Sequence, residues 1–219
     1  MSLTLYGSEM WNSPYVMSCF VGLREKGLPF DVHEVSLDRG AQHEAAYVDV
    51  SLTSRVPALI DGDLTLSESS AIIEYLEDKF PAPGHPRLLP ADLRERARAR
   101  QVMAWLRSDL GALRDERSSE YVFFEPDKLA TLLPLSPAGK RAADKVVGVA
   151  ERLLPADGGG MFAAWCIADT DLAMMLWRLW RTGHHLPAKV EAFAATQWER
   201  PSVREFATHP RPAVYAPSV

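Results

Sequence analysis

The chain has 219 residues, 47% hydrophobic and 24% charged, enough to bury a proper core in one large domain or two small ones and too apolar for disorder. Its formal net charge of -5 carries no electrostatic footprint for nucleic acid, and its 2 cysteines, Cys19 and Cys166, are too few for a disulfide framework. The start lacks a basic-then-apolar leader and no apolar run is long enough to span a bilayer, so the expectation is a soluble cytoplasmic protein without a membrane partner.

Leu3-Thr4-Leu5-Tyr6 alternates as a strand does and stops at Gly7. After a loop carrying Trp11 and Asn12, Ser13 is placed to cap a helix with Pro14 at its first position. That helix runs to Gly27 with Val16, Cys19, Phe20 and Leu23 facing inward, and a second strand spans Phe30 to Leu37. Pro57 heads the short apolar run Ala58-Leu59-Ile60, where a strand tolerates proline. Asp61-Gly62-Asp63 is a hairpin turn, Leu64-Thr65-Leu66 returns, and Ser67 is expected to cap a helix whose buried face is Ile72, Ile73, Leu76 and Phe80. Pro81 to Pro86 is too rich in helix breakers to be anything but linker. Beyond Pro90 every pattern is helical: 92–118 as one long helix, then 136–154, 167–181, 187–197 and 201–208. The order predicts a thioredoxin-like α/β domain over 1–81, a linker over 82–90 and an all-α domain over 91–210.

The chemistry lies at the two ends of the hairpin-and-helix unit. A cis Val56-Pro57 bond would leave the Val56 N–H and C=O free to pair with an extended ligand. The first turn of the following helix offers unpaired N–H groups to a carboxylate, with Glu68 for an ammonium and the Ser69 hydroxyl as a further donor. An acid, an anion hole and a backbone edge suit a small zwitterionic peptide; the plain alternative is a capped hairpin with solvated Glu and Ser.

Val56, Pro57, Glu68 and Ser69, within strand–turn–strand–helix, closely resemble the glutathione S-transferase family. The resemblance implies that Val-Pro pairs with the cysteinyl backbone of glutathione and that Glu-Ser grips its γ-glutamyl end. It also implies a role for Arg55 at the glycyl carboxylate, where Ser51-Leu52 departs from the Asn-Pro of many members and leaves Gln42 and His43 as further candidates. At Ser13-Pro14-Tyr15-Val16 the family's thioredoxin relatives carry a redox dithiol; here Ser13 replaces the first sulfur and Val16 cannot resolve a disulfide. The resemblance makes Ser13 the catalytic hydroxyl that holds the glutathione thiol ionised, against the alternative of an ordinary helix cap. It implies glutathione as co-substrate, a hydrophobic electrophile or hydroperoxide near Trp105 and Tyr121 as second partner, and a homodimer.

The Ser13-Pro14 junction and the run from Cys166 to Asp171 are similar to a bacterial subgroup with glutathione peroxidase activity. The competing readings are a glutathione-dependent isomerase or dehalogenase, or a non-catalytic binding or assembly module. Cys166 and Asp169 stand where these proteins cap a structural helix, and the six histidines show no metal-ligand spacing, so no metal is expected.

Overall fold

The computed structural model describes residues 3–124 and 132–212. Strands β1 (Leu3–Ser8), β2 (Phe30–Val35), β3 (Ala58–Asp61) and β4 (Leu64–Ser67) form one mixed sheet in the order β2-β1-β3-β4. β1 runs parallel to β2 and antiparallel to β3, and β4 is antiparallel to β3. The period-two alternation of β1 sorts its side chains: Leu3 and Leu5 enter the main core with Leu59, while Tyr6 joins a small cluster of Val35, Tyr47 and Ala58 on the other face. Tyr47 comes from the short helix α2 (Ala45–Val48). Helices α1 (Pro14–Glu25) and α3 (Ser69–Lys79) pack on each other over the main core. This is the expected thioredoxin-like arrangement.

The second half is helical throughout its described residues: α4 (Leu93–Ser108), α5 (Gly111–Glu116), α6 (Glu120–Phe123), α7 (Pro137–Leu153), α8 (Ile167–Trp180), α9 (Ala188–Trp198) and α10 (Pro201–Ala207). α8 is the axis. Every residue from Ile167 to Leu179 is buried, and the helix touches α1, α4, α7 and α9. At its entrance the Asp169 carboxylate accepts from the N-cap Cys166 N at 2.9 Å, as in a capping box, and from Met161 N in the preceding loop at 2.8 Å. One continuous core, from Leu3 to Ala207, joins the two halves.

Three expectations need correction. The long helix predicted over 92–118 breaks after Ser108, because Leu110 sits at φ 63 and Asp109 Oδ1 takes the Leu110 N–H at 2.7 Å, a local bond that competes with the helix. Ser67 does not cap α3; it is the last residue of β4, and the capping position falls to Glu68 at φ 73 with no side-chain cap bond. The second strand ends at Val35 rather than Leu37, since a turn begins soon after. Ser13 does cap α1, accepting from Val16 N at 3.4 Å.

The linker is locked by a buried cation. Lys26, 1% exposed, donates from Nζ to Glu77 Oε2 at 2.9 Å, Phe80 O at 2.9 Å and Pro86 O at 3.0 Å. Glu77 Oε2 also accepts from Leu88 N at 2.8 Å. One ammonium thus ties the end of α1 to α3 and to both ends of the linker, all three of its donors being used. Removing one partner of such a pair strands the other in the core. Glu77→Ala is expected to cost about 3–5 kcal/mol in chemical denaturation, and the double variant Lys26→Met with Glu77→Leu clearly less than the sum of the two single losses.

Candidate functional site

Five of the six residues singled out from the sequence converge. Arg55, Val56, Pro57, Glu68 and Ser69 line one pocket of about 150 Å³ together with Tyr15 and Arg107. Val56-Pro57 is cis. The turn before it is built by Ser51, a buried hydroxyl that donates to Arg55 O at 2.9 Å and accepts from Arg55 N at 3.2 Å, with Tyr47 donating to the same carbonyl at 2.9 Å. Ser51, the departure from the family pattern, therefore has a structural role. Arg55 and Val56 also border a second depression of about 390 Å³ with Gln42 and His43, so the two sequence candidates for the glycyl end adjoin the pocket.

Glu68 joins β4 to α3 at φ 73 and ψ 115. A non-glycine residue there carries about 1–3 kcal/mol of strain, and such strain collects where a ligand is held. Ser69 follows as the first residue of α3 and is buried; its hydroxyl accepts from Arg107 Nε at 3.1 Å.

Arg107 comes from α4 of the helical domain and was not found by sequence reasoning. Its Nη1 donates to Met103 O at 3.1 Å and to Asp171 Oδ2 at 2.7 Å. Burial opposes its charge, but Asp171 outweighs that effect and holds the guanidinium above its ordinary range. Arg107 was hidden because in the sequence it sits inside what reads as one long amphipathic helix over 92–118; its partners lie 38 and 64 residues away. Tyr15 was passed over for a similar reason, sitting next to the more conspicuous Ser13.

Ser13 does not line this pocket. It stands one residue before Pro14, which with Tyr15 borders an adjoining cleft between the domains, and its described contact is the cap to Val16. Trp11 and Trp105 fall elsewhere. Trp11 is 5% exposed, stacks on His209 at 3.6 Å, packs against Phe20 and Phe206, and donates from Nε1 to Glu34 at 2.6 Å. It belongs to the core and borders neither the pocket nor the cleft beside it. Trp105 opens instead onto a groove of about 530 Å³ between α4 and α7. Neither Trp105 nor Tyr121 borders the pocket or the cleft beside it.

Both cysteines are fully buried and unpaired. Burial pushes both thiols far above their usual range, and Cys19 donates its S–H to Ser69 O at 3.8 Å, which makes it an inert part of the α1–α3 packing. Of the four arginines at the start of α4, Arg100 pairs doubly with Glu74 at 2.7 Å, Arg96 donates to Pro90 O and Arg98 to Gln101, so they do not act as a polyanion stripe. Among the described residues no cluster of His, Cys, Asp and Glu could hold a metal, and no helix is long and apolar enough to cross a membrane.

Comparison with known proteins agrees with this geometry. Residues 5–84 match the glutathione S-transferase N-terminal domain family and residues 92–210 the C-terminal domain family. Curated relatives include glutathione S-transferase theta-3 of Mus musculus, 36% identical over 48% of this chain and 42% of that protein. They also include a probable maleylacetoacetate isomerase of Vibrio cholerae, 35% identical over 56% of this chain and 55% of that protein. The chain spans about half the length of these curated relatives. Among solved structures, a glutathione transferase homolog from Burkholderia with bound glutathione is 42% identical, with a TM-score of 0.78 over 94% of this chain and 96% of that one. Holo maleyl pyruvate isomerase, a bacterial zeta-class protein, is 25% identical with a TM-score of 0.70 over 93% and 95%. With both domains matched in order along its sequence and the same two-domain fold, the chain belongs to the glutathione S-transferase family.

Proposed function

We propose that this protein is a glutathione transferase that binds glutathione in the pocket of Arg55, Val56, Pro57, Glu68 and Ser69 and directs its thiolate at electrophiles, organic hydroperoxides included. The carrying observation is that these five residues, 14 positions apart in sequence at their extremes, border one pocket with a strained Glu68 at its edge. In this reading the Val56 backbone pairs with the cysteinyl unit. The ammonium of the γ-glutamyl arm meets Glu68, and its carboxylate meets Ser69 and the first amides of α3. Arg55 takes the glycyl carboxylate, with Gln42 and His43 within the adjoining depression.

Ser13 is the proposed thiol-stabilising hydroxyl. Its place at the start of α1 adds the positive end of the helix dipole to the hydroxyl donor. Tyr15, which borders both the pocket and the cleft beside it, is a second reading that the geometry favours. Glutathione-dependent isomerisation is an alternative reaction, supported by the names of the Vibrio and zeta-class relatives. We further propose the domain division 1–81, 82–90 and 91–210, a cytoplasmic setting consistent with two reduced cysteines, and a symmetric homodimer, the commonest closed assembly.

Glu68→Ala is expected to weaken glutathione binding by about 1.5–3 kcal/mol in calorimetry; unchanged affinity removes Glu68 from the site. Ser13→Ala is expected to lower turnover about ten- to a hundredfold and to move the titration of the bound thiol, read by thiolate absorbance, to higher pH. If Tyr15→Phe produces those effects and Ser13→Ala does not, Ser13 is only the cap of α1. Light scattering at micromolar concentration should give twice the chain mass, and a monomer mass ends the dimer proposal.

A further inference from the structure

The cleft beside the glutathione pocket is unusually cationic. It is lined by Pro14 and Tyr15 of α1, Leu106 and Arg107 of α4, Arg114 of α5, and Asp171, Met174, Met175 and Arg178 of α8. Three arginines and one carboxylate line it, and that carboxylate is already engaged, Asp171 Oδ2 being bonded to Arg107 at 2.7 Å. Arg114 uses Nη1 on the Leu106 and Asp109 carbonyls where α4 ends.

Arg178 is the anomaly. It is 3% exposed on a helix whose neighbours are Leu, Trp and Met, yet among the described residues no carboxylate forms an ion pair with it. Its Nη1 donates to Arg117 O at 2.6 Å and its Nε has no partner. Burial pulls its pKa down to about 10; Tyr15 and the Asp115 carboxylate push it up and Arg114 pulls it further down, but among the described residues no carboxylate comes within ion-pair distance, so its charge is met only in part. Lys26, a deeply buried cation beside the linker, shows the usual solution: a carboxylate and two carbonyls. A buried, incompletely bonded arginine bordering a cleft is a group that an anion entering the cleft can satisfy.

The geometry points to Arg178 and Arg114 as the binding pair for a carboxylate on the second substrate, which is therefore an organic acid with an apolar body. The cleft, about 20 Å³, has room for little more than one water-sized group, so one carboxylate oxygen reaches into it while Met174, Met175 and Leu106 are the apolar walls beside it. Tyr15 and Arg107 border both this cleft and the glutathione pocket, so the body of the substrate extends toward bound glutathione. The inference deepens the glutathione reading and rests on it for the position of the reacting thiol; the anion site itself stands on the arginines alone.

The test compares two glutathione conjugates of equal length, S-carboxypropyl-glutathione and S-butyl-glutathione, by calorimetry on the full chain. The wild type should bind the carboxylate conjugate about tenfold or more tightly than the butyl conjugate, as a charge-assisted bond requires. Arg178→Gln should bring that ratio to about one, and Arg114→Gln should lower it in the same direction. A wild-type ratio of one or less, or a ratio that survives in the variants, overturns the proposal. Phenylbutyrate against phenylbutanol, titrated without glutathione, separates the two readings. If neither conjugate binds but phenylbutyrate does, and only while Arg178 is present, the glutathione pocket is misassigned and the anion site stands. If phenylbutyrate binding is absent or indifferent to both arginines, and the conjugates show no preference, the anion site falls.

Discussion

The site depends on one guanidinium crossing the domain boundary. Arg107, anchored to its own helix through Met103 O and to α8 through Asp171, reaches over to the Ser69 hydroxyl at the start of α3. A serine at a helix start is ordinarily free to turn toward solvent. Here it is held by a fixed fork, and the fork is held by a carboxylate on the most deeply buried helix of the molecule. The orientation of the α3 N-terminus relative to the cleft is thereby set by the helical domain, although every residue of the glutathione-type motif lies in the other one. Pocket and cleft are two openings around the same pair of side chains, Tyr15 and Arg107.

That arrangement needs a rigid frame, which the linker supplies. Lys26 fixes both ends of the Pro-rich segment against α1 and α3, and Leu88 O then accepts from Ile167 N at 2.9 Å, joining the linker to the entrance of α8. The linker residues therefore do not act as a hinge. They are a strap, bonded at intervals, between the sheet domain and the central helix. Trp11 and the segment after α10 form a second strap: Arg211 donates to Trp11 O at 2.9 Å while His209 stacks on the indole. Two independent ties make rotation between the domains costly.

The buried cations divide by whether their charge is met. Lys26 is met in full, and its contribution is structural. Arg117, also buried, spends Nη1 and Nη2 on the Glu116 and Leu133 carbonyls and leaves Nε unpaired. Arg178 is the least satisfied and borders the cleft, while Arg117 does not. An uncompensated charge in a core is expensive, and proteins keep such a group where something else compensates it.

Much of the architecture was legible from one sequence. Alternation in Leu3–Tyr6, the Asp61-Gly62-Asp63 turn, and the helical spacing of Ile72, Ile73 and Leu76 are local patterns set by backbone geometry, and each reappears in the folded chain. So did the gathering of Arg55, Val56, Pro57, Glu68 and Ser69, because a hairpin and its following helix bring residues close in sequence to one rim. The errors were also local, where a side chain or a positive φ outcompeted propensity: Asp109 breaking the long helix at Leu110, and Glu68 displacing Ser67 as cap. The sequence could not show what is made by packing at long range. Trp11 looked like a loop residue and is core, since its partners Phe206 and His209 arrive from the far end of the chain. Arg178 lies in what reads as an apolar helix, and only the meeting of α1, α4, α5 and α8 makes it a buried cation with no ion pair among the described residues beside a cleft. Periodicity and turn chemistry act over a few residues and are written in the sequence; the neighbours of a buried charge are chosen by tertiary contacts.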